Sequence, residues 1–181
     1  MGVEMQPEVR LRSERVFDGK ILSVRVDTVS LPGGGEATRE VVEHKAACVI
    51  VPLDDDGNVV LVCQYRHPVS QVLLEAPAGV VEDSESPEEC AQRELQEETG
   101  YAASDLTKLG DFWPSPGFCD EIMHAFLARR LVPSRLEADE DENILVVRYP
   151  LVRVVEMVRI GEIQDAKTIV AVLMAASVLE G

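Results

Sequence analysis

Between Gly79 and Tyr101 the chain carries a helix whose two ends are both marked in the sequence, GVVEDSESPEECAQRELQEETGY. Ser86 is placed to cap it, Pro87 fits the first helical position, and Glu89 completes an S-x-x-E capping box. Gly100 stands where a left-handed terminal residue belongs, so the helix is expected from about 87 to 99. On a 3.6-residue period Ala91 and Leu95 share a face and point to a core. Glu94, Glu97 and Glu98 share another. Like charges at that spacing cost an isolated helix about 0.2–0.5 kcal/mol per pair. A cation at the face reverses the penalty, and hard divalent ions such as Mg²⁺ take oxygen ligands together with waters and substrate phosphates. A plain solvated acidic face is the alternative that a charge run alone allows.

The rest of the chain supplies a sheet for this helix to cover. AACVIVPL, from Ala46, is a near-continuous apolar run, as expected of a strand buried on both faces. DDDGN is a turn, VVLVCQYR the returning strand, and VLLEAPAGVVE a strand followed by a loop. Further strands are expected around 106–113, 122–129 and 143–149. Helices are expected over 150–160 and 165–179, the second with Asp165 as its cap. Trp113, the only tryptophan, is expected in the core. Strands interleaved with helices imply an α/β fold, a mixed sheet with helices on its faces. Ahead of it, residues 1–10 read as a tail, and Leu11 to about His44 as some three antiparallel strands with a GGG turn at 33–35. So small a unit buries little surface alone and needs the main domain or a partner to dock on. The expected division is a β unit over residues 1–45 and a main domain over 46–181.

Charge and composition narrow the function. With 33 acidic against 17 basic side chains the net charge is −16. That argues against a protein that coats nucleic acid or an anionic membrane. Hydrophobic residues at 46% and charged ones at 28% exclude a disordered chain. The longest apolar run, Ile169 to Leu179, is too short for a ~20-residue membrane crossing. The amino end lacks the apolar stretch of a secretory signal. Cys48, Cys63, Cys90 and Cys119 form no CxxC pair and read as reduced thiols of a cytoplasmic protein. His44, His67 and His124 lack metal-ligand spacing, and Ser115 lacks a nucleophile elbow.

Gly79, Glu85, Arg93, Glu94, Leu95, Glu97, Glu98 and Gly100 fall on the pattern G-x5-E-x7-R-E-U-x-E-E-x-G-U, where U is aliphatic. Only Tyr101 departs, an aromatic residue still suited to the core. The segment resembles the Nudix box. The resemblance implies an α/β/α sandwich that hydrolyses nucleoside diphosphates linked to another moiety, using Mg²⁺ or Mn²⁺. Over nearly its whole length the chain is similar to the ADP-ribose pyrophosphatase branch of that family. The resemblance there rests on QYRHP…LLEAPAG before the box, SPGFCDE after it with Pro116 fifteen residues beyond Tyr101, and the amino-terminal β unit. It implies hydrolysis of ADP-ribose to AMP and ribose 5-phosphate. Another nucleoside diphosphate sugar as substrate, or ADP-ribose binding without turnover, are the alternatives. The intact glutamate set argues against the last.

The same resemblance implies roles. Glu94, Glu98, Glu97 and the carbonyl of Ala78 would hold the metal. Arg93 and Glu97 would belong to the catalytic set, with Arg93 pairing Glu85 to orient the helix. A flexible acidic loop, here LEADEDENI over 136–144, would supply the catalytic base; Glu140 and Glu142 both fit, and Glu140 is favoured. Arg66 would approach a phosphate or the distal ribose, which Ser115, Gly117 and Glu121 would hold. Ile21, Arg39 and Glu40 match positions on a β unit that crosses onto a partner subunit and helps to enclose adenine, so a homodimer is expected. Arg39 suits a clamp because a guanidinium stacks on a base; plain core packing is the alternative for Ile21.

Overall fold

In the computed structural model, which describes residues 5–136 and 143–180, the capped helix forms where its signals place it. Helix α1 spans Pro87–Thr99. The Ser86 hydroxyl accepts from the Glu89 N–H at 3.2 Å, and the Glu89 carboxylate accepts from the Ser86 N–H at 2.7 Å. Gly100 closes the helix at φ 78°. Cys90, Ala91 and Leu95 are fully buried.

What α1 covers follows from the alternation of one strand. β4 (Ala47–Pro52) is buried along its whole length. It lies between β7 (Ala78–Val80), which runs antiparallel to it, and β9 (Met123–Pro133), which runs parallel; β8 (Tyr101–Phe112) completes the order β7-β4-β9-β8. Successive side chains of a strand point to opposite faces. Cys48 and Ile50 therefore pack with Phe126, Cys90, Ala91 and Leu95 under α1. Ala47, Val49 and Val51 pack on the other side with Ala125, Leu127, Ala171, Val172 and Ala175. The last three belong to α3 (Ala166–Glu180), which follows α2 (Leu151–Arg159). Asp165 caps α3, its carboxylate accepting from the Thr168 N–H at 3.0 Å. A second antiparallel sheet runs β10-β5-β6, from Ile144–Pro150, Asn58–Arg66 and Gln71–Glu75. The α/β class with helices on both faces of a mixed sheet is thus as expected.

By its internal contacts the chain falls into two units: residues up to Lys45 with Ser115–Glu121, and Ala46–Pro114 with Ile122 onward. The first unit is the antiparallel sheet β1-β2-β3, from Val9–Asp18, Ser23–Ser30 and Glu36–Glu43. The loop 115–121 joins it through Val42, whose N–H donates to the Phe118 carbonyl at 2.7 Å and whose carbonyl accepts from Asp120 at 3.1 Å.

Two sequence expectations are corrected. Trp113 is exposed, not core. It follows the last residue of β8, and it is the neighbouring Phe112 that packs inward. β8 also begins at Tyr101 rather than near 106, because Ala102 and Ala103 pair with Val132 and Leu131 of β9. The four cysteines are free thiols; Cys48 and Cys90 meet at 3.0 Å under α1, a contact that pushes the Cys90 thiol pKa up with the help of burial. Among the described residues no helix is long and apolar enough to cross a membrane.

Candidate active site

Glu94 and Glu98 of α1 lie against the β7 backbone. Glu94 and Glu98 are buried and Glu97 is half-buried. Glu98 accepts from the Ala78 N–H at 3.1 Å. Gly79, next along β7, leaves no room for a side chain: a Cβ there would stand 1.8 Å from the Glu94 Oε1. Strand and helix are therefore in close approach at the start of the box, which explains the glycine.

Arg93 joins the site to its entry loop. Its Nε and Nη2 donate to the two Glu85 oxygens at 3.1 and 2.6 Å, and Nη2 also reaches the Val80 carbonyl. Nη1 donates to Glu94 at 2.7 Å and to Glu97 at 2.9 Å. Arg93 holds the Glu85 pKa below the usual carboxylate range, while Glu85 first, then Glu94 and Glu97, push the Arg93 pKa up against the pull of burial. The pair anticipated from sequence is part of a wider tie across loop, strand and helix. Among the described residues no three His, Cys, Asp or Glu side chains converge as a ready-made metal cage. The donor set nonetheless fits a hard divalent cation. Every side chain is a carboxylate, two are buried, and the bare backbone at Gly79 keeps the Glu94 oxygens beside the strand.

Arg66, at the end of β5, is close enough for Glu98 to help raise its pKa, after the larger effect of Glu75. Its Nε and Nη2 donate to Glu75 at 2.8 and 2.7 Å. Sequence reasoning gave Glu75 no role, although one acid in the apolar run VLLEAPA was a signal, because a buried charge needs partners. Lys167 of α3 is its second partner. Burial works to raise the Glu75 pKa, but Arg66 and Lys167 outweigh it and the net shift is downward.

The remaining expected residues lie in the first unit. Ile21 is exposed in the β1–β2 turn, which removes the core-packing alternative, and it lines a hollow of about 310 Å³ with Arg15, Glu43, His44 and Asp120. Arg39 donates from Nε to Glu8 at 3.0 Å and from Nη1 to the Thr38 carbonyl at 2.8 Å. Glu40, adjacent on β3, points to the opposite face. Ser115 accepts from the backbone of Phe118 and Cys119 through its carbonyl, Gly117 lies in the same exposed turn, and Glu121 pairs with His44 at 3.4 Å. Glu140 and Glu142 lie outside the described residues.

Comparison with known proteins shows the family and the fold. The Nudix domain matches residues 42–172, and the nucleoside diphosphate sugar hydrolase N-terminal domain matches residues 8–42. The ADP-ribose pyrophosphatase of Bacillus subtilis is 41% identical over 167 residues, covering 91% of this chain and 90% of its own length. The ADP-ribose pyrophosphatase of Mycobacterium tuberculosis is 41% identical over 174 residues, covering 94% and 84%. A solved structure of an ADP compounds hydrolase superposes with a TM-score of 0.90 at 27% identity, covering 99% of this chain and 98% of that one.

Proposed function

The chain belongs to the Nudix family, and from that premise we infer that it is an ADP-ribose diphosphatase, hydrolysing ADP-ribose to AMP and ribose 5-phosphate. The observation that carries this reading is the junction of β7 with α1, where the Glu94 carboxylate fills the space left at Gly79 and Glu98 accepts from the Ala78 N–H within electrostatic range of Arg66. Oxygen donors and a guanidinium together are what a metal-bound diphosphate requires. Two relatives that are 41% identical to it over 167 and 174 aligned residues are ADP-ribose pyrophosphatases.

Nudix hydrolases use divalent cations, and we assign Mg²⁺ here, with Mn²⁺ as a substitute. When bound, the ion neutralises phosphate oxygens and acidifies water. Glu94 and Glu98, with Glu97 and the Ala78 carbonyl, are assigned to hold it. Water adds to one phosphorus, the bridging P–O bond breaks, and each product leaves with a terminal phosphate. Glu140, ahead of Glu142, is assigned to take the proton from that water. Arg93 keeps Glu94 and Glu97 on the strand-facing side, and Arg66 receives a phosphate. Ser115, Gly117 and Glu121 are assigned to the distal ribose, and Ile21, Arg39 and Glu40, lent by a second copy, to adenine. The four thiols favour a cytoplasmic setting.

The test is turnover of ADP-ribose, other nucleotide sugars, diadenosine polyphosphates and NAD with Mg²⁺, with products identified. AMP and ribose 5-phosphate from ADP-ribose, lost on chelation and strongly reduced in Glu98→Gln, are expected. Glu140→Gln should lower turnover about 10²–10⁴-fold, the range for a general base. Preference for another nucleotide sugar would overturn the substrate, and chelator-resistant turnover would overturn the metal assignment.

A further inference from the structure

Glu75 is 1% exposed, the most deeply buried carboxylate among the described residues. Its oxygens take the fork of Arg66, and Lys167 donates to the same Oε2 as the Arg66 Nη2. Lys167 also pairs with Asp165 at 2.9 Å. Asp165 caps Thr168, and the Thr168 hydroxyl accepts from the Ala76 N–H at 2.8 Å. The end of β6 is thus tied to the start of α3, 92 residues away in sequence. A buried ion pair stabilises a fold no better than well-packed apolar residues would, so stability alone does not account for the cluster.

Geometry gives it another use. Arg66 spends Nε and Nη2 on Glu75, and among the described residues its Nη1 has no hydrogen-bond partner. The side chain keeps 39% of its exposure while Glu75 keeps almost none. Glu98 lies within electrostatic range. Arg93 shows the same arrangement on α1: with Nε and Nη2 held by Glu85, its Nη1 faces Glu94 and Glu97. Glu75 holds the Arg66 guanidinium by the same two nitrogens, so that Nη1 is left as its open edge. We propose that Glu75, backed by Lys167, is a positioning residue that holds the open edge of Arg66 beside the glutamate face to receive the substrate's diphosphate. The proposal rests on the diphosphatase reading above.

Its test is a double-mutant cycle of Glu75→Gln and Arg66→Ala, read as kcat and KM for ADP-ribose and as the Kd of α,β-methylene-ADP by calorimetry. Glu75→Gln should raise KM and Kd about tenfold or more, the worth of a hydrogen bond to a charged group, with kcat moving less. The double variant should be no worse than Arg66→Ala alone, because Glu75 acts only through that side chain. Losses that multiply, or an unchanged KM and Kd in Glu75→Gln, would overturn the proposal. Should Glu75→Gln fail to fold, Glu75→Asp keeps the charge but withdraws the fork, and the same cycle applies. If the wild type turns over no ADP-ribose, the substrate reading fails, while the methylene-ADP cycle still decides the positioning role.

Discussion

At the scale of single residues, the site depends on the absence of a side chain as much as on those present. Gly79 has an ordinary backbone conformation, so its need for glycine is purely steric: a Cβ would overlap the Glu94 carboxylate, 1.8 Å from Oε1 and 2.0 Å from Cδ. The overlapped atoms are the end of a flexible side chain, which swings away at little cost to the fold. Gly79→Ala should therefore move Glu94 off the strand rather than unfold the protein. Activity should fall about 10–100-fold, the range for disturbing the support of a metal ligand, and the Mg²⁺ requirement should rise. Turnover across a Mg²⁺ titration beside a thermal melt checks this; wild-type turnover at limiting Mg²⁺ would show that Glu94 does not need its place. The pattern of the box exposes the glycine in sequence, but only the structure shows that Glu94 is what it makes room for. Glu75 was less legible still, since its partner Lys167 lies 92 residues away and no local spacing links them.

At the scale of elements, α1 was readable because its signals are local. Ser86, Pro87, Glu89 and Gly100 each act within one turn of the backbone they satisfy. Ser86→Ala removes the acceptor for the Glu89 N–H and should cost about 1 kcal/mol. Gly100→Ala meets no atoms within 4 Å but must hold φ near 78°, and should cost about 1–2 kcal/mol through the backbone alone. Urea unfolding should show both losses, while kcat at saturating Mg²⁺ stays near wild type because neither residue touches the glutamate face. A loss of kcat without a loss of stability in Ser86→Ala would mean that the cap positions the site instead. The strands were less legible where pairing, not propensity, defines them. Tyr101–Asp105 has little β character of its own, yet it is drawn into β8 by the opposing residues of β9. Leu73 to Val80 reads as one strand and a loop. It forms two strands in two sheets, with Pro77 between them lacking the N–H a continuous ladder needs.

At the scale of the whole molecule, the first unit presents an open strand edge. β1 is exposed over all its residues and forms the edge of a three-stranded sheet. Val9, Leu11, Val16, Phe17 and the turn residue Ile21 are all exposed. An edge strand carrying that much apolar surface is a template for association. Charge favours the same end of the chain. Residues 1–45 hold eight acids and seven bases, so nearly all of the −16 lies beyond them. Two chains meeting through their β units bring near-neutral surfaces together while the acidic remainders repel at longer range. We therefore expect a two-fold homodimer, self-complementary as such interfaces are, in which each chain lends residues 11–44 to its partner. Its association should tighten as salt rises toward about 0.15 M, where the Debye length falls to ~8 Å and the repulsion is screened. Light scattering at micromolar concentration across that range checks the sign. Deleting residues 1–44 should abolish both the dimer and ADP-ribose affinity, because Ile21 and Arg39 leave with it. A monomer that binds and turns over ADP-ribose fully would show that each site is built within one chain.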